Sequence, residues 1–265
     1  MGNDSSKASK SSSGKTSGIN SLGIKSGPSS ATVQKHIENA KKSRILQMKG
    51  CGLKKFPDSL TELFEIIRNL DLNQNKIRVL PSTIGNFIQL RQLHLSENIL
   101  ACLPDEMGLL KKLEVLNLQS NSLSVLPDSL VGCASLKSVN LSFNTFREFP
   151  IVLCHLMELE TLIIASNAIT CLPNEITTLR ASELNLNQNR LNSLNSQCLA
   201  KCARLKILRV EENCLGKTEF TLELLQESSL SIISCSGNLF QDKEFHDLPG
   251  YDAYQERLTA TRRKM

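Results

Sequence analysis

Residues 90–104 read LRQLHLSENILACLP and residues 113–127 read LEVLNLQSNSLSVLP, so one frame of leucines, an asparagine and a closing Leu-Pro occurs twice, 23 residues apart. The frame, L-x-x-L-x-L-x-x-N-x-L, continues in both directions. Its asparagines are Asn75, Asn98, Asn121, Asn144, Asn167, Asn189, Asn213 and Asn238, and a weaker first copy has Cys51 in that position. Nine copies in one register predict a repeat architecture, because self-similarity at a fixed period is its signature.

Each copy contains a short L-x-L segment, which predicts a strand with its leucines on one side. Strands of successive copies are expected to stack in parallel, about 4.8 Å apart. The asparagine follows the strand, where its amide can bond backbone groups of its own and the neighbouring coil. We therefore predict an α/β leucine-rich-repeat solenoid, a right-handed horseshoe with a parallel β-sheet on its concave face and helical caps.

The same pattern divides the chain into four parts. We expect a disordered tail rich in Ser, Gly and Lys (1–30), an N-terminal capping helix (31–44), nine coils (45–248) and a C-terminal capping helix with a basic end (249–265). Thr32 is the expected N-cap of the first helix. The late coils lack the Leu-Pro pair, so their outer sides are expected to differ from the early ones.

Composition and charge exclude several classes of protein. The chain has no run of 18 apolar residues and no apolar stretch in its first twenty, so we expect neither a membrane-spanning helix nor a secretory signal. Nine scattered cysteines without a C-x-x-C pair are expected to be reduced thiols of a cytosolic protein, mostly small buried hydrophobes, with a redox or metal role as the alternative. Residues 1–44 carry a net charge of +6 and residues 45–265 a net charge of −1. A basic domain that binds nucleic acid is therefore not expected.

The opening Met1-Gly2-Asn3-Asp4-Ser5-Ser6 fits the pattern for N-myristoylation of Gly2. One myristoyl chain binds a membrane only marginally, so a second signal is needed. Tail lysines can supply it at an anionic leaflet, which predicts a reversible, salt-sensitive association with the cytoplasmic side of a membrane. These lysines are Lys7, Lys10, Lys15 and Lys25. The tail serines are either phosphorylation sites of an electrostatic switch or parts of an unregulated linker.

Outward side chains of the strands are expected to form the concave, protein-binding face. The residues that we assign to it are Asp71, His94, Val115, Asn117, Asn140, Phe143, Ile163, Asn185 and Arg209. Val115, Phe143, Ile163 and Ala165 interrupt a polar row, which marks either a contact site or ordinary variation between coils.

No catalytic site, metal site or cofactor site is predicted. Asp71 and His94 lie on adjacent coils, but no nucleophile with a supporting group completes the set. A glycine-rich phosphate loop is also missing from the sequence. Arg209 is expected to form a surface ion pair with Glu211 or Glu212.

The 23-residue period with Leu-Pro resembles the Ras-suppressor class of intracellular leucine-rich repeats. The resemblance is also carried by ELNLNQNRL (183–191), ARLKILRVEENCL (203–215), GNLF (237–240), GYDAYQERLTATRRK (250–264) and the opening Met1-Gly2-Asn3, and it covers residues 31–265. It implies a lipid-anchored, non-catalytic repeat protein. The leading hypothesis is a monomeric membrane-recruited adaptor that binds protein partners on its concave face. The alternative is a soluble regulatory or specificity subunit of a phosphatase or ubiquitin-ligase complex.

Overall fold

A computed structural model describes residues 27–263 and confirms the predicted solenoid. Nine short strands form one parallel sheet in chain order, each strand pairing in register with the next. The strands are β1 (Ile45–Gln47), β2 (Asn69–Asp71), β3 (Gln92–His94), β4 (Val115–Asn117), β5 (Ser138–Asn140), β6 (Thr161–Ile163), β7 (Glu183–Asn185), β8 (Ile207–Arg209) and β9 (Ile232–Ser234). We number each coil after its strand.

The return segments of the coils follow the Leu-Pro pairs. In coils 1 to 6 a proline precedes a short 3₁₀ helix, since its fixed φ suits the entry to a helical turn. These 3₁₀ helices are Asp58–Leu63, Ser82–Asn86, Asp105–Leu109, Asp128–Gly132, Ile151–His155 and Asn174–Thr178. Coils 7 and 8, which lack Leu-Pro, return through α2 (Ser196–Ala200) and, after a 3₁₀ turn (Lys217–Glu219), α3 (Leu222–Glu227). The outer side therefore changes along the chain, as the sequence predicts.

The core is a row of thin leucine layers. Leu90, Leu93, Leu95 and Leu100 of coil 3 are fully buried, and the equivalent residues of the neighbouring coils are buried with them. The returns pack so closely that a Cβ on Gly108 would lie 2.1 Å from the carbonyl oxygen of Ser129. Each coil therefore buries its apolar side chains only against adjacent coils.

The repeated asparagines form a hydrogen-bonded ladder inside the turns. In coil 2, Asn75 Oδ1 accepts the N–H of Leu53 in coil 1 at 2.9 Å, and Asn75 Nδ2 donates to the carbonyl oxygens of Met48 and Leu72 at 2.9 and 2.8 Å. The same arrangement recurs in coils 3 to 9. In coil 1 the thiol of Cys51 makes only a 3.7 Å contact with the carbonyl of Lys49.

The N-terminal cap is α1 (Ser30–Ser43), whose Ile37 and Ala40 are buried. The predicted N-cap, Thr32, is wrong. The hydroxyl oxygen of Ser29 accepts the N–H of Thr32 at 3.2 Å and starts the helix earlier, because serine caps a helix as well as threonine does. Residues 27–30 therefore belong to the folded part and not to the tail.

The C-terminal cap consists of α4 (Asp242–His246) and α5 (Tyr251–Arg262). The hydroxyl of Tyr254 accepts the N–H of Ile233 in β9 at 2.9 Å. Arg257 Nε donates to the carbonyl of Leu230 at 2.9 Å, and its two other nitrogens donate to the carbonyls of Gln226 and Leu225. Side chains of α5 thus satisfy backbone groups of the last coil.

The lipid-attachment residue Gly2 and the tail lysines Lys7, Lys10, Lys15 and Lys25 lie outside the described residues, as do the tail serines. Within residues 27–263, no helix is long and apolar enough to cross a bilayer. The same part of the chain contains no group of three His, Cys, Asp or Glu side chains that is placed to hold a metal ion.

Candidate protein-binding surface

The side chains of four predicted surface residues also accept hydrogen bonds from the backbone. Asp71 Oδ1 accepts the N–H of Asn73 at 3.0 Å, and Asn117, Asn140 and Asn185 repeat this bond to the residue two positions on, at 3.0–3.1 Å. Such turns hold the exits of these four strands. Replacing these residues would therefore change the shape of the concave face as well as its chemistry.

The predicted ion pair of Arg209 is wrong. Arg209 Nε donates to Glu183 Oε1 on the neighbouring strand at 3.1 Å, because paired strands bring these two side chains together across the sheet. Glu211 instead accepts a 2.6 Å hydrogen bond from Asn187 Nδ2. Asp71 and His94 lie in register on β2 and β3, and no hydrogen bond joins them among the described residues.

Phe143 has an unusual backbone. The residue before each ladder position adopts a positive φ in all nine coils, and that residue is glycine in coils 1 and 9 and polar in six others. Phe143 has φ 55° and is 53 % exposed. A bulky residue in the left-handed region costs on the order of 1 kcal/mol. An exposed aromatic side chain held there stabilises neither the turn nor the core, which points to a contact with another molecule.

An unpaired backbone group lies beside it. We compared the backbone N–H of the second residue after each strand in coils 2 to 8. In six of these seven coils it donates to an Asn or Asp side chain, as the N–H of Ser96 does to Asn73 Oδ1. The seventh, the amide of Ala165, has no hydrogen-bond partner among the described residues. Its strand ends in Ile163, whose side chain has no acceptor. Half-buried Ile163 and Ala165 thus present an apolar surface together with a free donor.

A groove of 410 Å³ connects these features to an acidic end. Phe143, Ala165 and Ser166 line it in coils 5 and 6, and Glu211 and Glu212 line it in coil 8. Glu212 accepts a hydrogen bond from Gln188 Nε2 at 2.8 Å. Neither glutamate has a cationic partner within 4 Å among the described residues. We call this surface, from Phe143 to Gly237, the concave groove.

A larger groove of 710 Å³ lies on the outer side of coils 4 and 5. It has apolar walls, including Val125 and Ile151, and charges of both signs in Asp128, Arg147 and Glu148. We place the candidate site in the concave groove despite its smaller volume. Only there, within residues 27–263, do a left-handed exposed aromatic residue and an unpaired amide occur together.

The buried cysteines are poor nucleophiles. Burial raises the pKa of the Cys133 thiol to about 11 and that of the Cys154 and Cys235 thiols to about 12. These thiols are therefore protonated at neutral pH and behave as small apolar side chains. Cys102, Cys171 and Cys214 are exposed.

A family model described as "Leucine rich repeat" matches residues 88–146, and solved structures agree with it over most of the chain. The fold is that of a leucine-rich-repeat protein. A leucine-rich-repeat protein of Leptospira interrogans is 26% identical, with a TM-score of 0.58 over 82% of this chain and 73% of that chain.

Two receptor structures also match. The ectodomain of the Arabidopsis thaliana receptor kinase GASSHO1/SCHENGEN3, in complex with CASPARIAN STRIP INTEGRITY FACTOR 2, is 24% identical, with a TM-score of 0.54 over 69% of this chain. The plant peptide hormone receptor RGFR1 in complex with RGF2 is 23% identical, with a TM-score of 0.51 over 69%. This chain spans 28% and 34% of those two chains, so these matches describe its fold alone.

Proposed function

We propose that this leucine-rich-repeat protein is a non-catalytic scaffold of the Ras-suppressor class that binds an extended segment of a partner protein in the concave groove. The coincidence of Phe143 and the unpaired Ala165 amide carries the proposal. Two plant receptors with this fold were solved in complex with CASPARIAN STRIP INTEGRITY FACTOR 2 and with RGF2, which supports a protein-binding role for the fold.

The groove defines the chemistry of the bound segment. An apolar side chain of the partner packs on Phe143 and Ile163, and a backbone carbonyl accepts the Ala165 N–H. A lysine or arginine further along meets Glu211 and Glu212, which have no cation of their own. We therefore expect a segment with one apolar residue and one basic residue, in either order, separated by the length of the groove between Phe143 and Glu212.

Replacing Phe143 by asparagine together with Ile163 by serine is expected to weaken binding of such a segment about 30-fold or more, because both side chains are central to the contact. Asparagine tolerates a left-handed backbone, which offsets the loss of partly buried Ile163, so the free energy of unfolding is expected to change by less than about 1 kcal/mol. Peptides selected from a random display library on the wild-type protein supply the ligand, and titration calorimetry measures the affinity.

A matched double variant, Val125→Asn with Ile151→Ser in the outer groove, is the control and is expected to bind as the wild type does. If the control loses affinity and the Phe143 variant keeps it, the site is in the outer groove. If selection enriches no apolar-and-basic peptides, the proposed ligand chemistry is wrong.

We also propose that the chain is anchored reversibly to the cytoplasmic leaflet by a myristoyl group on Gly2. The motif at Gly2 and the tail lysines support this proposal. One acyl chain alone binds with a constant near 10⁴ M⁻¹, so association is expected to depend on salt.

Replacing Gly2 by alanine is expected to abolish incorporation of a myristate analogue and to shift the protein from the membrane fraction to the soluble fraction of labelled cells. Lys243→Ala, a change of one exposed residue far from the tail in sequence, is the control. Unchanged fractionation of the Gly2 variant would favour a soluble regulatory subunit.

A further inference from the structure

The charge of the folded part is divided between its two ends. Residues 30–91 contain eleven Lys or Arg and five Asp or Glu, a net charge of +6, whereas residues 92–263 contain fifteen and twenty, a net charge of −5. The net charge of the folded part is close to zero, but its N-terminal end, formed by α1 and the first coils, is basic and the rest is acidic.

Five of these cations lie on one edge of coils 1 and 2, in the loops that leave the sheet. They are Lys49, Lys54, Lys55, Lys76 and Arg78, and all of them are exposed. The loops are stacked directly, since the N–H of Lys76 donates to the carbonyl of Leu53 at 2.7 Å. None of the five has an acidic partner within 4 Å among the described residues. We call this set the basic ridge.

Apolar side chains continue the basic ridge into coils 2 and 3. Val79 is 64 % exposed and Ile99 is 40 % exposed. Cys102, which occupies in coil 3 the position that Val79 has in coil 2, is also exposed. The acidic residues of the three loop segments 49–58, 73–81 and 96–104 are Asp58 and Glu97 alone. Glu97 accepts a hydrogen bond from Gln74 Nε2 at 3.1 Å. A cationic edge with protruding aliphatic side chains is the composition of a surface that lies in a lipid interface.

The tail joins the fold at the same place. The described chain begins at Gly27, and a Cβ on Gly27 would lie 3.4 Å from the carbonyl oxygen of Gly52 in coil 1. Gly52 precedes Lys54 and Lys55 by two and three residues. The chain that carries Lys25 and the Gly2 motif therefore attaches directly beside the basic ridge.

We propose that the basic ridge docks on an anionic lipid bilayer, with Val79 and Ile99 entering the interface, so that coils 1 to 3 lie on the membrane and the concave groove in coils 5 to 9 is held away from it. Lys54, Lys55, Lys76 and Arg78 neutralise lipid headgroups, and each contributes about fivefold to the binding constant. The proposal deepens the proposed membrane role, but it does not require the acyl group. It also gives the anchored protein one orientation on the membrane.

The test uses the full chain produced without a myristoyltransferase, so that the ridge is measured apart from the anchor. Binding is measured by co-sedimentation with vesicles of phosphatidylcholine alone and of phosphatidylcholine and phosphatidylserine in equal parts. The ridge variant carries Lys54→Gln, Lys55→Gln, Lys76→Gln and Arg78→Gln. The control variant loses the same charge at the other end through Arg180→Gln, Lys201→Gln, Arg204→Gln and Lys206→Gln.

We expect the wild type to prefer the serine-containing vesicles, the ridge variant to bind them about 600-fold more weakly, and the control variant to bind within a few-fold of the wild type. Equal losses in both variants, or no preference for anionic vesicles, would overturn the proposal. Stronger binding of polyuridylic acid than of vesicles through the same four residues would reassign the ridge to nucleic acid. A missing acyl group on Gly2 in cells would leave these results unchanged, so the two proposals fail separately.

A spectroscopic readout tests the insertion itself. The chain contains no tryptophan, so Val79→Trp introduces a single tryptophan among the apolar side chains beside the basic ridge. Its emission is expected to shift to shorter wavelengths when anionic vesicles are added, because the indole leaves water. Met157→Trp, at a site that is 61 % exposed in coil 5, is the control and is expected to show no shift. An unshifted Val79→Trp spectrum with vesicles bound would disprove insertion.

Discussion

Replacing Asn144 by alanine is expected to lower the free energy of unfolding by about 3–5 kcal/mol. Asn144 is 9 % exposed and ties coil 5 to coil 4. Its Oδ1 accepts the N–H of Leu123 at 3.0 Å, and its Nδ2 donates to the carbonyls of Leu118 and Leu141 at 3.0 and 2.9 Å. Alanine leaves the N–H of Leu123 without a partner in a region that water does not reach, which costs about 1–3 kcal/mol. It also removes one of the two donors to each carbonyl, since Leu118 keeps its bond from Asn121 and Leu141 its bond from Asn167, and each lost bond costs about 1 kcal/mol more.

Denaturant unfolding followed by circular dichroism measures the change in free energy. The midpoint temperature of thermal unfolding is expected to fall by about 10 °C for a chain of this size. Asn144→Asp keeps the acceptor but loses both donors and buries a charge, so its effect is expected to be at least as large. Asn192→Ala is the control, because Asn192 is exposed and its side chain has no hydrogen bond among the described residues. A loss below 1 kcal/mol in Asn144→Ala would show that the ladder does not hold the coils together.

Cys51 shows why the first coil tolerates a different residue. A ladder asparagine bonds the backbone of the coil before it, as Asn75 does to Leu53 and Met48. The first coil is preceded by α1, so no earlier turn offers these groups. With Cys51 in the first coil, no backbone group of an earlier coil loses a hydrogen-bond partner. The ladder asparagine is thus replaced only in the coil where an asparagine would have no earlier coil to bond.

The repeat predicted the fold because each coil is specified by its own residues and its nearest neighbours. Every L-x-L segment contributed a strand, but each strand begins one residue earlier than the segment: β3 is Gln92–His94, and the second leucine, Leu95, lies just beyond it. Details that depend on competition between similar groups were not predictable. Ser29 and Thr32 are both good caps, and Glu183, Glu211 and Glu212 are all possible partners of Arg209, so geometry had to decide.

The candidate site was only partly predictable for the same reason. Its apolar residues interrupt the polar row, and the sequence shows this.

The left-handed backbone of Phe143 is indicated less strongly in the sequence. Gly50 and Gly237 occupy the equivalent position in the first and last coils, and glycine there indicates a positive φ. The unpaired amide of Ala165 and the position of Gly27 beside Gly52 depend on contacts between coils and have no sequence signal.

The second large effect is expected at the C-terminal cap, where Arg257→Met should lower the free energy of unfolding by about 2–4 kcal/mol. Arg257 is half-buried, and its guanidinium donates to the carbonyls of Leu225, Gln226 and Leu230. Burial lowers the pKa of Arg257, but a guanidinium remains charged at any physiological pH, so these are charge-assisted bonds. Methionine keeps the apolar stem and removes only the donors.

The loss is expected to be local before it is global, because a solenoid end depends on its cap while inner coils are held from both sides. Hydrogen exchange followed by mass spectrometry should show faster exchange in β9 and α3 than in β4 and β5 of the Arg257→Met variant. Arg257→Lys retains the charge but not the three-pronged geometry, so it is expected to recover only part of the stability. Arg263→Met, exposed one residue beyond α5, is the control. Uniform acceleration across all nine strands would show instead that the coils unfold as one cooperative unit whose stability the cap sets as a whole.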